Sequence, residues 1–402
     1  MKSSTNVCTY GILGLITIAM ALGFFDRVNF SIALAAPEFQ RAFDLTDHDR
    51  GLLSSAFFWM YAFLQVPAGW LVDRYGVRRT FAAAFLLWSA ATAATAAAGS
   101  VAVLLGLRML LGVGESVLSP GAMRWIRSHF VEAKRGLAVG VVMFGSKIGP
   151  AIGSPLSAWL LIEHGWRNMF LALGLVPLVW LIPWVAWVRD AGQSETRQTV
   201  ERRAQVDPAI VAGIMASSFC YQYFIYFCLT WMPAYLVEAR GLDLGRMAWY
   251  GMASFGGTAI LAISAGYAAD RLIARGGNPV RVRAMFAAAG LVIAATEVVE
   301  AITPNQTLAT LAVVVALSAV GLTTANHWAL ALALVPANTA GRIAGLQALA
   351  ASLPGIVAPI LTAWLKQRTG GYRAPLGAVA VFLTIGVGCY LFLMRQRPDA
   401  SE

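Results

Sequence analysis

The chain has 402 residues, 58% of them hydrophobic and only 12% charged, with a mean hydropathy of +0.67, well above the roughly 45–50% apolar usage of soluble domains. That composition excludes a soluble enzyme and a disordered scaffold, and four cysteines in 402 residues exclude a small disulfide-stapled secreted domain. A net charge of +10 would suggest nucleic acid in a soluble protein, but here the basic residues sit in loops between apolar runs, so they report membrane topology and no nucleic-acid partner is expected.

At about 20 apolar residues per span plus a short loop, a chain of this length holds about twelve spans and no sizeable soluble domain. In chain order the predicted spans are 10–36, 51–72, 80–98, 101–128, 136–162 and 166–188, then 209–238, 246–268, 284–302, 306–334, 342–365 and 374–394. The first follows Met-Lys-Ser-Ser-Thr, is longer than a signal-peptide core and lacks an Ala-x-Ala exit, so it is read as retained. The longest polar interruption, from Arg189 to Asp207, carries Arg189, Arg197, Arg202 and Arg203 and reads as a linker. The expected organisation is a six-helix bundle over 1–188, a cytoplasmic linker over 189–208 and a second six-helix bundle over 209–402. Cys8, Cys220, Cys228 and Cys389 all lie in or beside apolar stretches without a CxxC or Cys/His cluster, so neither a metal site nor an external disulfide is expected.

Counting Lys and Arg by loop gives orientation. Eighteen fall in segments that a cytoplasmic N-terminus places inside, against eight in the outer segments, where Asp44, Asp47 and Asp49 dilute them. Both termini are therefore expected in the cytoplasm. The four cations left over are Arg27, Arg108, Arg124 and Lys147.

An internal repeat supports the two halves. After the second span the chain reads Gly69-Trp-Leu71-Val-Asp73-Arg74-Tyr-Gly76-Val-Arg78-Arg79, and after the eighth Gly266-Tyr-Ala-Ala-Asp270-Arg271, both Gly and Asp recurring at an offset of 197 residues. Duplicated six-helix halves are characteristic of transporters. The first copy, Gly-x-Leu-x-Asp-Arg-x-Gly-x-Arg-Arg, resembles without a gap the loop motif of the major facilitator superfamily, and the degenerate second copy stands where that superfamily repeats it. The resemblance implies an all-α polytopic membrane protein, with twelve transmembrane helices in two pseudo-symmetric bundles. It also implies a gating role for Gly69, Asp73, Arg74, Gly76, Arg78, Arg79, Asp270 and Arg271, since an Asp at an inner helix end can pair with arginines and helix dipoles in one state and release them in another. Span termination and the positive-inside rule explain the charges alone, but not the spaced glycines or the repeat.

Finer segments are similar to one branch, the anion:cation symporters that carry organic acids, over nearly the whole chain. They are Asp26-Arg27-Val28-Asn29 in the first span, Arg108-Met-Leu-Leu-Gly112-Val-Gly114-Glu115 in the fourth, Gly145, Gly149, Gly153 and Pro155 leading to Gly165-Trp166-Arg167, and Leu229-Thr230-Trp231-Met232-Pro233 closing the seventh. The resemblance implies that Arg27 meets a substrate carboxylate while Asp26 and Glu115 carry protons. The residue chemistry points the same way: a guanidinium fork suits a carboxylate, and a carboxyl group in a low-dielectric cavity can take up a proton.

A charged side chain at mid-membrane costs about 2.5–3.5 kcal/mol even on lenient scales, yet the first half keeps Asp26, Arg27, Arg108, Glu115 and Lys147. Arg108 and Glu115 are two helical turns apart on one face, so a substrate or a proton can lie between them. A structural ion-pair network would also make their burial tolerable. Glu297 and Glu300, near the outer end of the ninth span, read as interfacial. Two departures from the branch stand out. Lys147 stands where related carriers tend to have a neutral amide; it either adds an anchor suited to a dianion or pairs with Glu115. The eleventh span reads Gln347-Ala348-Leu349-Ala350-Ala351-Ser352 where relatives carry Gln-Asn-x₃-Asn, so two amides able to bond sugar hydroxyls are missing.

Candidate substrate contacts are thus Arg27, Arg108, Lys147, Tyr61, Gln65, Tyr226, Trp328, Gln347 and Ser352, the aromatic members being weighed against lipid-facing or packing roles. His327, in Asn326-His327-Trp328, is either a hydrogen-bonded packing residue or part of the proton path. The expected function is proton-coupled symport of an organic anion across the inner (cytoplasmic) membrane by alternating access. The cargo would be an aromatic or aliphatic diacid or a sugar acid. No cofactor is expected beyond the proton as coupling ion, and no protein partner beyond a monomer in the lipid bilayer. An organic-phosphate antiporter and a transporter-like ligand sensor are the alternatives. No Gly-x₄-Gly-Lys-Ser/Thr loop, Ser/His/Asp context or metal cluster suggests an enzyme.

Overall fold

The computed structural model describes residues 2–189, 206–336 and 339–396, and every regular element among them is helical. Eleven apolar helical runs are long enough to cross a membrane, and the 54-residue run Lys134–Trp187 is broken at Gly165, where φ is 77°. That break divides it in two and gives twelve spans. They are α1 (Lys2–Ala35), α2 (Asp47–Tyr75), α3 (Val77–Ala94), α4 (Val101–Glu115, continued by Leu118–His129), α5 (132–164), α6 (166–187), α7 (Pro208–Thr230, continued by Met232–Glu238), α8 (Leu244–Ala274), α9 (Pro279–Ala294, continued by Glu297–Ile302), α10 (Gln306–Leu334), α11 (Ala340–Ser352, continued by Pro354–Thr369) and α12 (Arg373–Arg395).

The chain forms two compact units, Met1–Thr196 with Leu242–Met252, and Arg197–Gly241 with Ala253–Glu402. The start of α8 thus groups with the first unit, whereas the sequence places it in the second bundle. Most of the expected linker, including Arg197, Arg202 and Arg203, lies outside the described residues.

Several spans begin at side-chain caps that satisfy the free N–H groups of a helix end. Thr46 and Asp49 form a reciprocal capping box at α2, Ser100 accepts from Val103 N at α4, Asp207 from Ala209 N at α7, Asn278 from Arg281 N at α9 and Asn305 from Leu308 N at α10. The sequence reading draws the fourth, seventh and eleventh spans as continuous, but each is interrupted. The α4 break follows Gly112-Val-Gly114-Glu115, where two poor helix formers weaken the ladder and Val117 N bonds back only three residues, to Gly114 O. The other two breaks precede Pro233 and Pro354, whose rings deny a helix its next hydrogen bond.

In the first unit, small residues let backbones approach. A Cβ at Gly112 would fall on the Phe57 carbonyl of α2, and one at Gly149 on the Ala21 carbonyl of α1. Such contacts are how membrane helices gain packing energy without a hydrophobic driving force between them. An aromatic wedge locks α6: Trp180 stacks on Phe85 at 4.4 Å and on Trp184 at 4.8 Å, Trp180 Nε1 donates to Leu15 O and Trp184 Nε1 to Arg78 O. Gly112→Ala is expected to cost about 1–3 kcal/mol through overpacking, seen as a lower unfolding temperature of the purified protein. An unchanged temperature would show that α4 can move away from α2 freely.

Candidate functional site

The site is built where α1, α2 and α4 meet. Asp26, Arg27 and Asn29 on α1, and Arg108 and Glu115 on α4, are all buried. Arg27 turns its Nε, 3.0 Å, and its Nη2, 2.9 Å, onto one oxygen of Glu115, Oε2. Both side chains are sealed, at 2% and 0% exposure. Glycine makes the approach possible, since a Cβ at Gly23 would meet Leu118 Cδ1 at 2.6 Å and stand 3.4 Å from Glu115 Oε2. The other carboxylate oxygen, Oε1, accepts no hydrogen bond among the described residues.

Four rings box the Arg27 guanidinium: Phe24 at 4.1 Å, Tyr61 at 4.5 Å, Phe57 at 4.8 Å and Phe58 at 6.0 Å. Their faces attract the cation and keep water from it. Tyr61, expected from sequence as a substrate contact, is therefore also a wall of this box, stacked 5.2 Å from Phe57. Arg108 lies one box further along, its guanidinium 4.3 Å from the Phe30 ring and 5.2 Å from Phe57, with Nε directed at Leu53 O at 3.4 Å.

Of the two α4 residues expected to flank a substrate or a proton, Glu115 is engaged by Arg27 and Arg108 lies against the Phe30 and Phe57 rings. Of the two readings of Lys147, a pair with Glu115 is not formed among the described residues, where Arg27 holds that carboxylate at 2.9 Å. Among the described residues neither Lys147 nor Arg108 has a carboxylate within ion-pair distance. Asn29 donates to Asp26 Oδ1 at 2.9 Å, so the Asp-Arg-x-Asn segment supplies its own partner for the Asp. Gln65 lies one turn beyond Tyr61 on α2, half-buried.

Candidates of the second unit divide. Tyr226 is buried, while Trp328 is 39% exposed with its ring edge-on to His327 at 5.3 Å. Gln347 is buried against His327, with its amide 2.9 Å from the ring Nε2, and Ser352 donates to Ala348 O in its own helix. His327 is hydrogen-bonded on both ring nitrogens, with Ser218 and Gln347 at Nε2 and Tyr390 at Nδ1. Glu297, expected at the interface, is buried, at the point where α9 restarts after stopping at Ala294. The side chain of Glu300 lies outside the described residues.

At the loop motifs, each Asp is held within its own unit. Asp73 pairs with Arg124 at 3.0 Å and Asp270 with Arg283 at 2.8 Å. Sequence reasoning singled out Arg124 without giving it a partner, and the partner is the motif's own acid. Gly76 has φ of 84°, a conformation that favours glycine, and it joins α2 directly to α3. Gly69 lies against Pro120. Arg78 donates to Val185 O at 2.7 Å. Arg74 lies over the Trp70 and Tyr75 rings, Arg271 over Tyr267, and Arg79 is exposed.

The Major Facilitator Superfamily model matches residues 16–359. The chain belongs to that superfamily and is a membrane transporter rather than an enzyme. Among curated relatives it is 29% identical to a probable sulfoacetate transporter of Cupriavidus necator, covering 95% of this chain and 93% of that one. It is 28% identical to a hexuronate transporter of Bacillus subtilis over 96% and 95%, and 26% identical to a D-galactonate transporter of Escherichia coli over 96% and 95%. The fold is shared with a bacterial homologue of the human lysosomal transporter Spinster in an inward-facing, occupied conformation, with a TM-score of 0.80 at 18% identity over 96% of this chain and 97% of that one. It is shared too with a D-xylose–proton symporter, with a TM-score of 0.76 at 16% identity over 98% of each chain.

Removing one member of a sealed ion pair leaves the other charge buried without compensation, at a cost of about 3–5 kcal/mol. Arg27→Met should therefore destabilise the protein strongly, and Arg27→Met with Glu115→Gln should recover most of the loss. Thermal unfolding of the single and double variants in one detergent checks this. Additive losses would show that the two side chains do not act as a pair.

Proposed function

We propose that the chain is a proton-coupled symporter of a small organic anion in the inner (cytoplasmic) membrane. In this reading it works as a monomer by alternating access, with both termini in the cytoplasm and the proton as its only coupling agent. The observation that carries the reading is the sealed Arg27–Glu115 pair, in which one carboxylate oxygen holds the guanidinium at 2.9 Å and the other accepts nothing among the described residues. The relatives named as carriers of sulfoacetate, hexuronate and galactonate support an organic acid as cargo.

The chemistry then runs as an exchange of partners. A proton arriving on Glu115 Oε1 removes the charge that holds Arg27, and the freed fork takes a substrate carboxylate in a bidentate contact. Because proton and anion each favour the other's binding at this arginine, neither crosses readily alone. Asp26, already bonded to Asn29 at 2.9 Å, is the second proton carrier of this reading. The gate residues Asp73 and Asp270, with Arg124 and Arg283, would close and open with the cycle.

Charge bookkeeping favours a dianion. With Glu115 and Asp26 both protonated, Arg27, Arg108 and Lys147 give the site a charge of +3, against +1 with both ionised. Sulfoacetate, named for one relative, carries a carboxylate and a sulfonate and has the required two charges. Two protons with a dianion move no net charge, whereas two with a monoanion move one, worth about 2.3 kcal/mol per 100 mV.

Uptake into proteoliposomes separates these steps. An acid exterior should drive accumulation in the wild type. Glu115→Gln should abolish that accumulation while leaving exchange of internal for external anion in place, and Arg27→Ala should abolish both. Uptake indifferent to a pH gradient would defeat the symport reading in favour of antiport. Lys147→Gln should weaken binding of a dianion about tenfold while changing a matched monoanion little, measured by ligand-dependent thermal stabilisation. Equal weakening of both would remove the dianion assignment.

A further inference from the structure

A groove of about 450 Å³ runs between the far end of α5 and the start of α8. Both walls belong to the first unit, which takes in Leu242–Met252 of α8. From α5 come Leu156, Trp159, Ile162 and Glu163, at spacings of three and four that put them on one helix face. Ala248 and Trp249 of α8 stand opposite. The two helices approach closely at Gly251, where a Cβ would meet Ser154 Oγ at 3.0 Å. From Ser154 the α5 wall runs nine residues to Glu163, about 13 Å of helix. As the end of the fifth span, Glu163 lies on the membrane face opposite the N-terminus.

The lining is apolar except at that end, where Glu163 is its one charged residue. In an unbroken helix Glu163 would face Arg167, four residues on, and could pair with it. The helix breaks between them at Gly165, where φ is 77°, and Arg167 lies over the Trp166 ring at 4.2 Å. Among the described residues no cation stands within ion-pair distance of Glu163. On the α8 side Arg246 is already matched by Asp243 at 3.3 Å. The groove therefore ends in an unmatched negative charge. Its flanking indoles, Trp159 and Trp249, are 53% and 61% exposed, and tryptophans at the ends of spans sit at headgroup level.

We propose that the groove is a site for a phospholipid whose headgroup carries a primary ammonium, with one acyl chain between Trp159 and Trp249 and the ammonium donating to the Glu163 carboxylate. The bilayer surrounds the spans with molecules of the right shape, and the charge of the rim selects among them. A primary ammonium brings both a positive charge and N–H donors, a choline brings the charge without the donors, and an anionic headgroup is repelled. The bound lipid fastens the start of α8 to α5, ahead of Met252–Ala253, where α8 passes from the first unit to the second. The inference concerns the membrane and holds whichever anion is carried.

Short-chain phosphatidylethanolamine, phosphatidylcholine and phosphatidylglycerol, added to the purified protein in detergent, test it. Native mass spectrometry should show one ethanolamine lipid retained per chain. That lipid should raise the unfolding temperature at about tenfold lower concentration than the choline lipid, with the glycerol lipid weakest. Glu163→Gln, at an exposed position, should erase the ethanolamine advantage and leave binding of the choline lipid as it was. Trp249→Ala should weaken both lipids alike. Equal stabilisation by ethanolamine and choline lipids, or a preference that survives Glu163→Gln, overturns the inference. Lipid binding untouched by Trp249→Ala overturns it too, because the lipid then lies elsewhere. A dimer in lipid-free protein that Trp249→Ala abolishes would give the groove to a second copy of the chain instead.

Discussion

Everything in the first unit depends on keeping an arginine and a glutamate inside a helical bundle at membrane depth. Taking both charges out of water is expensive, and their mutual attraction compensates only where the geometry is close and water is excluded. The structure meets both demands through backbone. Gly23 leaves room for Glu115 beside α1, and Gly112 lets α4 settle on the Phe57 carbonyl. The same α2 segment then supplies Phe57, Phe58 and Tyr61 as three of the four ring faces around the guanidinium. Close packing, the ion pair and the aromatic box are therefore one arrangement, and a change in any of them disturbs the others.

That dependence also makes the pair suitable as a switch. A surface ion pair contributes little and is screened by salt, so its loss changes little. A sealed pair is different, because protonating or removing one member leaves the other seeking compensation. Arg108 shows the contrasting solution: at 4.3 Å from Phe30 and directed at a backbone carbonyl, it is accommodated by ring faces and a dipole without a carboxylate at ion-pair distance among the described residues. Two neighbouring cations are thus buried in two ways, and only the first has a titratable partner in contact.

Much of this was legible in the sequence, and the reasons for the rest are physical. Composition and apolar run length gave the membrane class and the twelve spans, because a bilayer imposes one length scale on every helix. The five intramembrane charges were legible for the same reason, since each is costly where it stands. Which charges pair was not. Lys147 and Arg27 were both open to Glu115, and the choice depends on the glycine contacts that set the distance of α1 from α4, a property of packing rather than of composition. Helix interruptions after Glu115 and at Ala295–Thr296 escaped the reading as well, because hydropathy averages over a window longer than the break. Glu297 stands at the second of these and is buried where an interfacial position was expected. The repeat at an offset of 197 residues located Asp73 and Asp270, but their arginine partners stand at unrelated positions, 124 and 283.

The two units answer the problem of buried polarity with different chemistry. The first uses full charges, which act strongly in a low dielectric and respond to a proton. The second gathers Ser218, Gln347 and Tyr390 around a neutral imidazole, and such a network is stable only while each member is satisfied. Duplication of a six-helix half produces two copies of a scaffold, as the loop motifs record, and the two copies hold different buried groups. In one copy an arginine and a glutamate are sealed as an ion pair. In the other, buried polarity is carried by hydrogen bonds among uncharged side chains, each of value only while its partner stays in place.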